Sequence, residues 1–338
     1  MRQWMSRWAW LVVVVVVAAG CGGEQGARAP TPSDTPAGQA AAPSRTLRLY
    51  TTVTEDTVDA VVAAYGEEHP DVAVEVFRAP TGELNARIAA ERREGEVRAD
   101  VLWLTDPLSM QGYDAEGLLA AVPGDAAAEV AREYRSDTSV GTRILDMVIV
   151  HEAGLDPAPR SWRDLADPAY ADAVALPDPA FAGSALGVLG YFADAEGYGL
   201  DFYRDLAANG AVTVPAPDEV VTGVAEGRFR AGMTLGTAAR AAAEQGSPIE
   251  IVQPSPGAIA IYSPIAVVRS ARDRAAAASF VEFSVTRPAQ EAIADTGWQP
   301  IRDDVPWAHD SRLVAPDWPA VADRQAELLD AYRSIFGG

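Results

Sequence analysis

The chain of 338 residues contains no lysine, so all 27 of its basic residues are arginine. Set against 48 acidic residues, they leave a formal net charge of −21. That balance argues against nucleic acid as a partner, because a phosphate backbone is held by clustered Lys and Arg. The missing lysine also excludes a phosphate loop of the G-x-x-x-x-G-K type. Cys21 is the one cysteine, so no internal disulfide can form. His69, His151 and His309 lie far apart, without metal-ligand spacing. "AGSALG" around Ser184 lacks the first glycine of the G-x-S-x-G elbow of serine hydrolases, and no G-x-G-x-x-G fingerprint occurs. No nucleophile–base pair and no metal cluster is legible, which argues against an enzyme.

What is present is an ordinary globular balance, with 49% hydrophobic and 22% charged residues, on a length sufficient for two lobes with their own cores. Arg2 and Arg7 precede the apolar run "WAWLVVVVVVAAG", whose 13 residues fall short of the ~20 that a spanning helix needs. A basic start, an apolar core and small residues before a cleavage point describe a secretory signal peptide over residues 1–20. "AAGC" resembles a bacterial lipobox, with Ala18 where leucine is usual; Cys21 is then the lipidated N-terminus of an extracytoplasmic, membrane-anchored protein. Residues 21–45 are rich in Pro, Gly, Ala and Ser without apolar periodicity and read as a flexible tether.

From Thr46 onward strands and helices alternate. "TLRLYTT", "DVAVEVFRA" and "ADVLWLT" have the pattern of strands, and each is followed by a helical segment. Thr52 with Glu55 has the spacing of a capping box, and Thr54 is the competing cap. Pro107 after Asp106 suits a first helical position. The β-α-β-α-β-α order predicts a sheet covered by helices on both faces, with ligands at the carboxyl ends of its strands. A second α/β unit follows, and "RILDMVIV" and "AIAIYSPIAVV" are long enough to cross between the two. Trp103, Tyr191 and Trp298 read as core.

Over Leu47 to Phe336 the chain resembles bacterial extracellular solute-binding proteins of ABC importers. It is most similar to the branch with iron(III)-, phosphonate-, sugar-phosphate- and thiamine-binding members. The resemblance is carried by "LRLYTTVTEDTVDAVVAAYGEEHPDVAVEVFRAPTGELNARIAAE", "RADVLWLTDPLSMQGYDAEGLL", "PRSWRDLADPAYADAVALPDPAFAGSA", "FVEFSVTRPAQEAIADTGWQPIRDDV" and "RQAELLDAYRSIF". It implies a two-lobe α/β fold of the type II periplasmic-binding-protein kind. Each lobe has a central mixed sheet flanked by helices, and two crossover strands join the lobes. Residues 46–145 with 264–338 make lobe 1, and residues 150–260 make lobe 2. It further implies a monomer that captures a solute between hinged lobes and delivers it to a membrane permease.

In the iron-binding relatives the metal is held by a histidine, a carboxylate and a tyrosine pair. By position these fall at or near Thr54, Thr105 and Thr237-Ala238, so that ligand set is missing here, and Asp106 and Tyr262 are what an iron would have left. The expected site is instead a ring of hydroxyls and glycines where strands feed helices: Thr52, Thr54, Thr81, Gly82, Thr105, Asp106, Gly183, Ser184, Thr237 and Tyr262. Free N–H groups and the helix dipole favour an anion at such termini. The expected ligand is a small anion such as a phosphate ester or phosphonate, with no cofactor. The alternatives are an Fe(III)-binding protein, or a sensing domain or enzyme on the same fold.

Overall fold

The computed structural model describes residues 43–123, 125–309 and 312–337. The leader, Cys21 and most of the tether lie outside the described residues. In chain order the first elements are β1 (Arg45–Thr51), α1 (Glu55–Glu68), β2 (Val72–Arg78), α2 (Thr81–Glu94), β3 (Val101–Trp103), α3 (Pro107–Ala115) and the long β4 (Val140–Glu152). Next come β5 (Val174–Pro177), α4 (Gly183–Asp194), α5 (Gly199–Ala208), β6 (Val212–Val214), α6 (Pro217–Ala225), β7 (Ala231–Leu235), α7 (Gly236–Glu244) and β8 (Ile249–Val252). The chain returns through β9 (Ala258–Val267), α8 (Arg274–Ser284), α9 (Arg287–Asp295), β10 (Gln299–Pro300) and β11 (Leu313–Val314), and ends in α10 (Trp318–Asp323) and α11 (Gln325–Phe336).

One mixed sheet runs through the molecule in the order β2-β1-β3-β9-β4-β7-β5-β6. Strands β1, β2 and β3 are parallel to one another, and so are β5, β6 and β7. Between these blocks β9 and β4 run antiparallel, with β9 also on β3 and β4 also on β7. They are the two crossover strands read from the sequence. Every residue of β9 is buried, as is every residue of β4 except Glu152, which explains their nearly continuous runs of Val, Ile, Leu and Ala. Amphipathic α1 buries Thr57, Val58, Val61 and Tyr65, close to the face expected from its spacing. Trp103 is fully buried, and its Nε1 donates to Thr142 Oγ1 at 2.8 Å.

The C-terminal segment departs from the assignment of residues 264–338 to the first lobe. Helices α8 and α9 do pack on β1 and α1, but α10 bridges α3 and α4, and α11 lies on α4 and α5. The reason is apolar surface needing cover: α11 buries Leu328 and Tyr332, and the Tyr332 ring meets Tyr203 at 5.5 Å. Arg324 binds Asp194 at 2.7 Å beside this contact. Two glycines of α4 permit the close approach of α10. A Cβ at Gly187 would lie 2.7 Å from the Trp318 ring, and one at Gly190 would lie 2.4 Å from Val321. Gly190→Ala is therefore expected to lower stability by about 1–3 kcal/mol through overpacking, measured by denaturant unfolding; an unchanged midpoint would show that α10 yields without cost.

Candidate functional site

The two parallel blocks present the carboxyl ends of their strands to a common cleft of about 260 Å³. Five helices begin on it. Their N-cap residues are Thr54 of α1, Pro80 of α2, Ala182 of α4, Ala216 of α6 and Leu235 of α7, and all five line the cleft. None of the five makes a side-chain capping bond. The other described helices divide: Asp106, Asp273 and Asp317 cap α3, α8 and α10, whereas α5, α9 and α11 also start without a side-chain cap. A helix start leaves N–H groups without intrahelical partners, and it carries the positive end of the helix dipole. Five such ends, uncapped and facing one space, form a cradle of donors suited to a shared anion.

Arg143 supplies a full positive charge to the same place. It lies on β4, is 0% exposed and lines the cleft. Its Nε donates to Ser263 Oγ at 3.2 Å, and Nη1 approaches Thr57 Oγ1 at 3.3 Å and Thr54 Oγ1 at 3.5 Å. Its Nη2 has no partner among the described residues. The guanidinium carbon sits 4.1 Å from the centre of the Trp298 ring, a cation–π contact that holds the group without neutralising it. Desolvation lowers its pKa to about 9, with the charge of Asp56 opposing the shift, so it remains charged at neutral pH. The contrast on the same strand is Asp146, whose charge is met by Arg240 through two bonds of 2.8 and 3.0 Å. Asp146 and Glu152 of β4 are each met by an arginine, Arg240 and Arg230, whereas Arg143 has no carboxylate in ion-pair contact.

The structure gathers most of the residues expected at the site. Thr52, Thr54, Thr81, Thr105, Gly183 and Ser184 all line the cleft. The expected Thr52–Glu55 capping box is replaced by other bonds, because Thr52 Oγ1 lies 3.1 Å from Thr105 Oγ1 and accepts from the Thr105 N–H at 2.8 Å. Thr54 is the N-cap residue, but its hydroxyl turns to Thr57 Oγ1 at 2.9 Å. The other four sit apart from the lining. Gly82 is exposed in the first turn of α2. The Thr237 hydroxyl donates to the Gly297 carbonyl at 3.0 Å and accepts from Arg240 at 3.2 Å, so α7 meets the cleft through Leu235.

Asp106 is buried, caps α3 by accepting from Ser109 N at 2.8 Å, and has its pKa raised by desolvation. It backs the start of α4, where a Cβ at Gly183 would stand 2.8 Å from its Oδ2. Tyr262 is buried against Trp318 and Tyr134, bonded to Gln111, and burial pushes its pKa up to about 12. A phenol so disposed is protonated at neutral pH. Among the described residues no group of three or more His, Cys, Asp or Glu side chains could hold a metal ion.

Sequence reading missed Arg143, and it assigned Trp298 to the core, whereas Trp298 backs the guanidinium at the cleft wall. A signal was available: two charged residues inside an otherwise apolar strand call for a partner or a function. Which of the two lacked its partner was not visible, since Arg240 lies 94 positions beyond Asp146.

Residues 47–299 match the family model of bacterial extracellular solute-binding proteins. An uncharacterised protein of Haemophilus influenzae is 26% identical over 262 residues, covering 72% of this chain and 74% of that one. Among solved structures, the periplasmic binding protein AfuA of Actinobacillus pleuropneumoniae, with fructose-6-phosphate bound, superposes with a TM-score of 0.77 at 19% identity, over 87% of this chain and 99% of its own. Iron-bound HitA of Pseudomonas aeruginosa gives a TM-score of 0.74 at 19% identity, over 86% and 99%. The substrate-binding protein of an ABC transporter from Agrobacterium tumefaciens gives 0.76 at 18%, over 87% and 94%. These likenesses are of fold, the two-lobe α/β fold of periplasmic binding proteins. The family match over most of its length places the chain in the bacterial extracellular solute-binding proteins.

Proposed function

We propose that this protein captures a small oxyanion-bearing solute, such as a phosphate ester or phosphonate, between its lobes and hands it to a membrane permease. The observation that carries this reading is the buried guanidinium of Arg143, without a carboxylate partner and with Nη2 unbonded, in a cleft lined by five uncapped helix starts. An anion drawn there by the charge of Arg143, whose buried Nη2 would turn to meet it, also meets backbone N–H groups from both lobes and the hydroxyls of Thr52, Thr54, Thr81, Thr105 and Ser184. Because both lobes contribute, binding energy favours the arrangement in which they face each other. We also propose that the chain works as a monomer, lipid-anchored through Cys21.

The likenesses of fold include an iron-bound and a sugar-phosphate-bound protein, so fold alone favours neither cargo. The lining supports the anion reading. It contains no carboxylate, histidine or tyrosine, and it contains a buried cation that repels Fe(III). Asp106 and Tyr262, the ligands an iron would need, are engaged with Ser109 and Gln111.

A thermal-shift panel tests the reading with inorganic phosphate, aminoethylphosphonate, hexose phosphates, phosphoglycerate, thiamine and ferric citrate. A ligand at a hundredfold excess over its Kd adds about 2.7 kcal/mol, or roughly 5–10 °C for lobes of this size. Shifts with phosphate-bearing compounds are expected; shifts with ferric citrate or thiamine alone overturn the reading. Arg143→Met separates function from stability. It removes an unmatched buried charge, so the unliganded midpoint is expected to hold or rise. Anion affinity is expected to fall by about 10–100-fold, the worth of a hydrogen bond to a charged group. Unchanged affinity would show that Arg143 does not meet the ligand.

A further inference from the structure

The polar side chains of the cleft are few and of one kind. Apart from Arg143 they are the hydroxyls of Thr52, Thr54, Thr81, Thr105 and Ser184, and no Asp, Glu, Asn, Gln or His lines it. Several of these hydroxyls are already engaged, Thr52 with Thr105 at 3.1 Å and Thr54 with Thr57 at 2.9 Å. The uncapped helix ends add N–H donors and no acceptors. A polyol needs acceptors as well, because every hydroxyl that is buried must donate, and here the only side-chain acceptors are the oxygens of these few hydroxyls, with no carboxylate or amide beside them. A substituent with several hydroxyls would outnumber them, and unmet buried polar groups are what a binding site rejects most strongly.

The remaining wall is apolar: Leu145 on β4, Pro80, and Pro215 with Pro217 around the start of α6. At its edge stands Phe181, between β5 and α4, with 69% of its surface exposed. The other exposed large apolar residues among those described, Val76 at 43% and Val212 at 44%, lie on β2 and β6, the two edge strands of the sheet. Phe181 has no such explanation. It belongs to none of the hydrophobic clusters and borders the cleft instead. An uncovered phenyl ring beside an anion cradle is surface awaiting a ligand.

We propose, building on the oxyanion reading, that the neutral part of the ligand is an apolar organic group poor in hydroxyls, and that Phe181 selects it by covering it. The solute class is then an organophosphonate or phosphate monoester with an aliphatic or aromatic substituent. The anionic end goes to Arg143, and the substituent lies against Phe181, Leu145 and the prolines.

Isothermal titration of the purified chain with phenylphosphonate, glucose 6-phosphate and inorganic phosphate tests this directly. Phenylphosphonate is expected to bind at least about tenfold more tightly than glucose 6-phosphate, the scale set by burying part of one aromatic ring. Phe181→Ala is expected to weaken phenylphosphonate about tenfold more than inorganic phosphate. Phe181→Leu, which keeps an apolar cover, should recover part of that loss. Glucose 6-phosphate binding as tightly as phenylphosphonate, or Phe181→Ala weakening all three anions equally, overturns the proposal while leaving the oxyanion reading standing. Binding of none of the three, with ferric citrate bound instead, overturns both.

Discussion

A guanidinium with no exposed surface and no carboxylate in contact is costly to build into a strand, because a buried charge is tolerated only where something answers it. Arg143 is kept in place by weak partners: three hydroxyls at 3.2 to 3.5 Å and the face of Trp298 at 4.1 Å. These fix its direction and leave its charge available. The cleft is arranged around that charge. Five helices start there without side-chain caps, although the chain uses aspartate caps at α3, α8 and α10. Capping the five would stabilise each helix and fill the space with local carboxylates or hydroxyls. Helix starts without side-chain caps are what the proposed anion site requires.

The position of Arg143 on a crossover strand ties binding to the relation between the lobes. Strand β4 pairs with β9 at one end and with β7 at the other, so its side chains stand where the two blocks of sheet meet. An anion bound to Arg143 also meets helix ends from both blocks. It binds best when those ends converge, and this differential is the only means by which a solute can favour convergence. Thr237, bonded to the Gly297 carbonyl, adds a direct contact between α7 and the segment after α9.

Much of the fold was legible in the sequence because it rests on local patterns. Alternation marked the strands, helical spacing marked α1, and the long apolar runs of β4 and β9 marked the crossovers. That strand-to-helix turns gather at one cleft was legible for the same reason, and six of the ten residues expected at the site line it. The failures came where the answer depended on distant partners. Thr237 sits at the right kind of turn, but Gly297 takes its hydroxyl. Tyr262 and Asp106 look like ligands in isolation and are bonded within the core by Gln111 and Ser109. The packing of α11 on α4 and α5 follows from apolar faces that sequence alone does not pair.

The most direct test is the position of a bound oxyanion. Crystals soaked with tungstate, a tetrahedral anion located by its anomalous scattering, are expected to show one strong peak in the cleft. Its oxygens should lie within hydrogen-bonding distance of Arg143 Nη2 and of backbone N–H groups from both lobes. An empty cleft at saturating tungstate, or an anion held there without contact to Arg143, would contradict the role assigned to that buried charge.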